Sequence, residues 1–256
     1  MTDDSPALVV QGLWKRFGTT VAVAGLDLAV PAGSFFGLVG PNGAGKTTTL
    51  SMATGLLRPD AGRVSVLGHD LWADPAAGKA AIGVLPDGVK LFDRLTGLEL
   101  ITYHGLLRGM DRAVVRTRAE ELVEALGLTD ARGTLVADYS AGMTKKIGLA
   151  CALVHAPRLL LLDEPFEAVD PVSGSVIRTI LRQMVAAGGT VVLSSHVMEL
   201  VERLCDHVAV IHSGRVHASG PLDDVRAGMT LEERFVQVVG GVGDGPRLDW
   251  LTGPTA

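Results

Sequence analysis

Gly40-Pro41-Asn42-Gly43-Ala44-Gly45-Lys46-Thr47 follows the spacing G-x-x-x-x-G-K-S/T, and its flanks decide the fold. Phe35–Val39 before it is an apolar run of strand length, and from Lys46 the pattern turns helical to about Leu57. Strand, Gly-rich loop and helix together form a phosphate cradle: glycines let successive N–H groups turn inward, and the helix directs its positive N-terminus at the same anion. Lys46 is placed to neutralise the β- and γ-phosphates, and the Thr47 hydroxyl to bind Mg²⁺. An ordinary Gly-rich turn would not need both the strand and the helix.

Further along, Leu159-Leu160-Leu161-Leu162-Asp163-Glu164 is a buried strand ending in two carboxylates. Asp163 at such a strand end can hold Mg²⁺ through water, as in P-loop NTPases, which leaves Glu164 to polarise a water. Around this pair the chain alternates strand and helix. Asp170-Pro171 opens a helix, Thr190–Ser194 reads as the next strand, Glu199–Leu204 as a helix, and Ser213-Gly214 as a hairpin turn. Such alternation implies a parallel sheet covered on both faces. The N-terminal third reads as strands at Leu8–Val10, Val21–Val30 and Arg63–Leu67, with turns at Pro31-Ala32-Gly33 and Arg58–Gly62. Leu95 to about Ala156 reads as helical almost throughout. Thr96 with Glu99 forms a capping box ahead of a Leu100, Tyr103, Leu107 stripe, Asp111 caps the next helix, and Ser140 caps the one after.

The expected fold is therefore α/β: a P-loop NTPase core with an antiparallel β subdomain and an inserted helical subdomain. The core comprises residues 1–89 and 158–228, the helical subdomain 90–157, and a C-terminal extension 229–256, whose Gly- and Pro-rich tail from about 240 is expected to fray.

Composition agrees. The 256 residues are 47% hydrophobic and 20% charged, which excludes a disordered chain. Mean hydropathy is +0.33, yet the longest apolar runs are strand-length, far short of the roughly 20 residues of a bilayer span. A net charge of −5 argues against nucleic acid as a partner. Met1–Pro6 carries Asp3 and Asp4 where a secretory leader is basic and apolar, so a cytoplasmic location is expected. Cys151 and Cys205 lack ligand spacing and read as core thiols, and Arg108, Arg112, Arg116 and Arg118 read as a solvated helix face.

From about Leu8 to Ala227 the chain resembles the ATP-binding subunits of ABC transporters. Its loop reads GPNGAGKTTT, and Tyr139-Ser140-Ala141-Gly142-Met143 stands where that family carries LSGGQ. Ser140 and Gly142 match; Tyr139, Ala141 and Met143 depart in the manner of exporter ATPases whose membrane subunit is a separate polypeptide. The segment can also be read directly: Ser140 at a helix N-cap exposes a hydroxyl and free N–H groups, and Gly142 permits close backbone approach, which makes a second anion site.

The resemblance implies that Gly40, Pro41, Asn42, Gly43, Ala44, Gly45, Lys46, Thr47 and Thr48 hold ATP, with Phe17 stacked on adenine. It implies that two copies pack head to tail, with Ser140, Ala141, Gly142 and Met143 facing the ATP of the other subunit. It places Asp170 in a loop crossing that interface and has His196 contact the γ-phosphate beside the catalytic Glu164 and Lys46. Where the family normally has Gln, touching Mg²⁺ or its water, this chain has Asp87, which keeps an oxygen for the metal beside Thr47 and Asp163 but cannot donate as an amide does. The implied activity is Mg-ATP hydrolysis driving a separate transmembrane permease, engaged near Asp87 to Arg108 at the inner face of the membrane. The expected cargo is drugs, antibiotics or lipids, leaving the cell. Two other readings are a non-catalytic ATP-binding clamp in a heterodimer and a soluble ABC-type ATPase outside transport.

Overall fold

A computed structural model describes residues 5–88 and 90–240. The expected fraying from about 240 and the reading of Met1–Pro6 as lacking a leader fall largely outside those residues.

The chain opens with three strands, β1 (Leu8–Phe17), β2 (Thr20–Val30) and β3 (Phe35–Val39), followed by α1 (Lys46–Ala53). Next come β4 (Ala61–Val66), β5 (His69–Asp70), α2 (Pro75–Ala80) and β6 (Ile82–Leu85). A helical stretch contains α3 (Gly97–Leu107), α4 (Arg112–Ala125) and α5 (Ala141–Leu153). The core resumes with β7 (Leu159–Asp163), α6 (Pro171–Ala186), β8 (Thr190–Ser195) and α7 (Met198–Leu204). It closes with β9 (His207–His212), β10 (Arg215–Pro221), α8 (Leu222–Arg226) and α9 (Leu231–Val239).

Two sheets form. One is antiparallel, in the order β2-β1-β4-β5; the other runs β10-β9-β3-β8-β7-β6, with only the β10 edge antiparallel. The central strands β3, β7 and β8 are buried along their whole length, which is why they lack polar alternation. Their side chains still alternate between two cores. Phe36, Leu38, Leu159, Leu161 and Val192 pack with α1 against the antiparallel sheet, while Phe35, Val39, Leu160, Leu162, Val191 and Leu193 face the core shared with α3, α5 and α6. Helix α1 is thus held between the sheets, and the loop before it opens at the C-terminal edge of the parallel sheet, where α/β folds bind ligands.

Several expectations change in detail. β1 runs on to Phe17, well past Val10, because it pairs with both β2 and β4. Helix α1 ends at Ala53, short of Leu57, where Thr54 caps it and Gly55 turns left-handed. Between α4 and α5 the chain is not helical: two short 3₁₀ turns, Thr129–Ala131 and Val136–Asp138, flank an antiparallel bridge between Thr96 and Leu135. The inner face of α3 is Gly97, Leu100, Ile101 and Gly105, whereas Tyr103 and Leu107 of the expected stripe are exposed. The arginines are not all solvated. Arg108 donates to the carbonyls of Lys79 and Ile82, and Arg118 to that of Val154, tying the helices to the core.

Both capping boxes and side-chain caps form as their chemistry dictates: Thr96 with Glu99, Asp111 on α4, and Ser140 on α5. Cys151 and Cys205 are buried free thiols, and burial pushes Cys151 up to about 12. Among the described residues no helix is long and apolar enough to cross a membrane.

Candidate functional site

The Gly-rich loop follows from its crowding. Gly40 leaves β3 so close to β9 that a Cβ would lie 2.1 Å from the Ile211 carbonyl oxygen. Gly45 caps α1 at φ 103°, and a Cβ there would meet the Ala22 carbonyl oxygen at 2.5 Å. Both positions exclude any side chain, so the loop's backbone N–H groups can close around a bound group. Lys46, at the first turn of α1, is only 6% exposed and arches back over the loop, its Nζ 2.7 Å from Gly40 O and 3.2 Å from Pro41 O. Its charge therefore sits in a poorly solvated place, where it attracts an anion far more strongly than it would at the surface.

A cleft of about 570 Å³ opens above the loop. Asn42 to Thr48 form its floor, Phe17 and Thr20–Ala22 one wall, and Asp87, Glu164, Glu167 and His196 the other. Phe17 stands at the end of β1 with its ring half exposed and Lys15 Nζ 5.7 Å from the ring centre. An exposed aromatic at the mouth of a polar cleft is suited to stacking on a base.

Opposite Lys46, the end of β7 supplies both carboxylates. Parallel pairing sets Asp163 beside Ser194 of β8, whose hydroxyl donates to Asp163 Oδ1 and accepts from the Glu164 amide at 3.0 Å. Glu164 then turns left-handed, φ 45°, a conformation that costs a non-glycine residue about 1 kcal/mol and is common at functional sites. The turn swings its side chain into the cleft, where Oε1 lies 3.1 Å from His196 Nδ1 and 3.7 Å from Lys46 Nζ. Glu164 is largely buried, with a side-chain exposure of 13%. A carboxylate held between an imidazole and an ammonium, facing a polar cleft, is suited to accept a proton from water.

The residues fit a magnesium ion. Thr47, Asp87 and Asp163 line one small cavity of about 90 Å³ that shares Thr47 and Asp87 with the cleft and is otherwise walled largely by apolar side chains, and these three offer the hard oxygens that Mg²⁺ takes from protein when the rest of its shell is phosphate and water.

Two groups of expected residues stand apart from the cleft. Ser140, Ala141, Gly142 and Met143 begin α5 and do not line it; Ser140 is exposed and its hydroxyl accepts from the Met143 amide at 3.3 Å. Among the described residues, a Cβ on Gly142 would meet only Ala168 O, at 3.7 Å, an ordinary contact distance. Asp170 caps α6, accepting from the amides of Val172 and Ser173. Hydrogen bonds from Ser173, side chain and main chain, hold its carboxyl below the usual carboxylate range.

Sequence reasoning did not single out Glu167, Thr20 to Ala22, the Ser194 hydroxyl, or Lys145. Lys145 Nζ donates to the Glu164 carbonyl oxygen at 2.8 Å and lies 3.4 Å from Asp87 Oδ1. All of these are long-range contacts with no local spacing to announce them.

Known proteins resemble this chain over most of its length. The ABC transporter family model matches residues 23–167. The chain is similar to the daunorubicin/doxorubicin resistance ATP-binding protein DrrA of Streptomyces peucetius, 41% identical over 228 residues, 89% of this chain and 69% of that protein. It is similar also to the linearmycin resistance ATP-binding protein LnrL of Bacillus subtilis (strain 168), 36% identical over 218 residues, 85% of this chain and 70% of that one. Among solved structures, an ATP-binding subunit of an ABC transporter superposes with a TM-score of 0.85 at 29% identity, over 91% of this chain and 99% of the other.

Proposed function

Because the chain belongs to the ABC transporter family as an ATP-hydrolysing, ATP-binding subunit, we propose a working cycle for its residues. Mg-ATP enters the cleft with its base against Phe17 and its phosphates on the Gly40–Thr48 loop. Lys46 offsets the charge of the β- and γ-phosphates, while Thr47, Asp163 and Asp87 would hold a magnesium ion, which would supply further neutralising charge there. Glu164 accepts a proton from a water as its oxygen attacks the γ-phosphorus and the bond to the β–γ bridging oxygen breaks. His196 fixes the Glu164 carboxylate and donates toward the γ-phosphate.

Ser140 and Gly142 complete the site of a second copy packed head to tail, each ATP lying between one loop and the partner's α5, with Asp170 at the seam. Opening and closing of that pair drives a separate permease at the cytoplasmic face of the membrane. The exposed apolar side chains of Phe92 and Leu107 support docking near α3. The names of the relatives support drugs or antibiotics as cargo, moved outward.

The single observation that carries the reading is the placement of Glu164 Oε1 between His196 and Lys46 in the polar cleft. The test is Glu164→Gln. This variant should lose ATP hydrolysis by ~10²-fold or more yet accumulate as an ATP-dependent dimer on gel filtration. If wild type and Glu164→Gln both bind ATP, and neither hydrolyses it, the non-catalytic clamp is the better description. Wild-type turnover by Glu164→Gln would remove the carboxylate from the reaction.

A further inference from the structure

Lys145 has no part in the cycle above, yet it touches two of its members. It lies on the second turn of α5, among the helices inserted between β6 and β7, and its side chain is only 12% exposed. From there its ammonium crosses to the core, donating to the Glu164 main-chain oxygen at 2.8 Å and lying 3.4 Å from Asp87 Oδ1 at the end of β6. A long aliphatic stem and a charge are thus ordered and mostly desolvated, a cost that only specific partners offset.

The partners are informative. Glu164 sits in a left-handed conformation that its own side chain disfavours, and it is clamped at both ends of the residue: its N–H by Ser194 Oγ at 3.0 Å and its C=O by Lys145. Ser194 belongs to the core sheet, so that clamp is fixed. Lys145 belongs to the helical group, so that clamp moves when α5 moves. With its amide held by Ser194, a pull on the Glu164 carbonyl turns the residue about its N–Cα bond, which swings the Cα–Cβ bond and so shifts Oε1 relative to His196. Asp87 contributes the charge that keeps the ammonium at this junction.

We propose that Lys145 is a positioning residue that couples the orientation of the helical group to the aim of the Glu164 carboxylate, with Asp87 as its counter-charge. This rests on the reading that Glu164 directs the attacking water. The same Ser140-capped helix that faces the partner's nucleotide then reports its docking, through one side chain, to the reacting group of its own subunit.

The test uses the full chain with Mg-ATP and compares Lys145→Met, Lys145→Arg, Asp87→Asn and Glu164→Gln. Lys145→Met should lower kcat by ~10- to 100-fold, as a small misplacement of a catalytic group does, with Mg-ATP affinity, read with a fluorescent nucleotide, unchanged within about twofold. Lys145→Arg keeps the charge and should recover most of that loss. Asp87→Asn removes both the counter-charge and the carboxylate assigned to the metal, and the loss of kcat in the double variant Lys145→Met/Asp87→Asn should be less than the product of the two single losses. The proposal is overturned if kcat of Lys145→Met matches wild type, if affinity falls in step with kcat, or if Lys145→Arg is as slow as Lys145→Met. Should Lys145→Met fail to fold, the decision passes to Lys145→Gln and Lys145→Arg: a lowered kcat at unchanged Mg-ATP affinity in Lys145→Gln, with Lys145→Arg near wild type, supports it, and any other pattern overturns it. Glu164→Gln separates the two readings. If that variant is inactive while Lys145→Met is normal, the coupling alone fails; if it turns over like wild type, the role of Glu164 fails first.

Discussion

Helices α1 and α5 both begin at a cap with a glycine in or beside it, and they differ in everything that surrounds that cap. At α1 the cap is Gly45, forced into a left-handed turn by the Ala22 carbonyl, and Lys46 is buried behind it. The cleft is walled by the same chain. At α5 the cap is Ser140, exposed, and a Cβ on Gly142 would be at ordinary contact distance from Ala168 O and from no other described residue. The difference teaches that the first terminus is enclosed by its own chain, whereas the second is open to solvent; in the cycle proposed above, glycine there serves a partner's surface.

The comparison can be broken most severely at Lys46. Lys46→Ala removes the buried charge from the α1 site and should lower steady-state phosphate release by ~10²-fold or more, with nucleotide affinity falling as well. A variant that binds and turns over Mg-ATP normally would end the claim that the phosphates are held at the α1 loop.

A matched pair of substitutions sharpens the contrast at smaller cost. Gly45→Ala puts a Cβ into the Ala22 carbonyl and should cost about 1–3 kcal/mol of stability, seen as a lower denaturant midpoint together with lost ATP binding. Gly142→Ala should leave stability unchanged or raise it by up to ~1 kcal/mol through helix propensity, leave ATP binding intact and lower hydrolysis. Equal loss of stability in the two variants would contradict the assignment of Gly142 to an intersubunit surface.

The mildest effect is expected at the far end of α5. His155 Nε2 lies 3.0 Å from Ile82 O, pinning the helix to β6, and burial lowers the ring to about 4, with Arg108 adding to the shift. A histidine whose folded value lies below its unfolded value near 6.5 binds a proton more readily when unfolded. Its contribution to stability therefore falls as pH drops from about 6.5 toward about 4 and is constant above that range. The thermal midpoint should decline over that window, and His155→Gln should flatten the decline. An identical pH profile in the variant would show that other groups govern acid stability.

Much of this was legible in the residue order. The glycine spacing before Lys46, the apolar strand ending at Asp163-Glu164, and the caps at Thr96, Asp111, Ser140 and Asp170 are each local, and each formed as its chemistry dictates. The misjudged parts share a cause. Whether Tyr103 and Leu107 are inside depends on where α4 and α5 cross α3, and whether Arg108 is solvated depends on which carbonyls lie across from it. Helical periodicity marks a face but not its partner. The non-helical run between α4 and α5 was hidden for the same reason, since the Thr96 to Leu135 bridge joins residues distant in the chain.

By itself, the sequence determined that a phosphate-binding loop must stand between a buried strand and a helix, because the steric freedom of glycine and the charge of Lys46 act over a few neighbouring residues. Only the tertiary structure decided what faces that loop. Strand register set Ser194 against Asp163, the left-handed turn at Glu164 brought its carboxylate to His196 and Lys46, and the packing of α5 carried Lys145 across to Asp87 and the Glu164 carbonyl. Those contacts join residues up to 118 positions apart, as Lys46 and Glu164 are. No local spacing encodes them, since their distances are set by how the two hydrophobic cores pack.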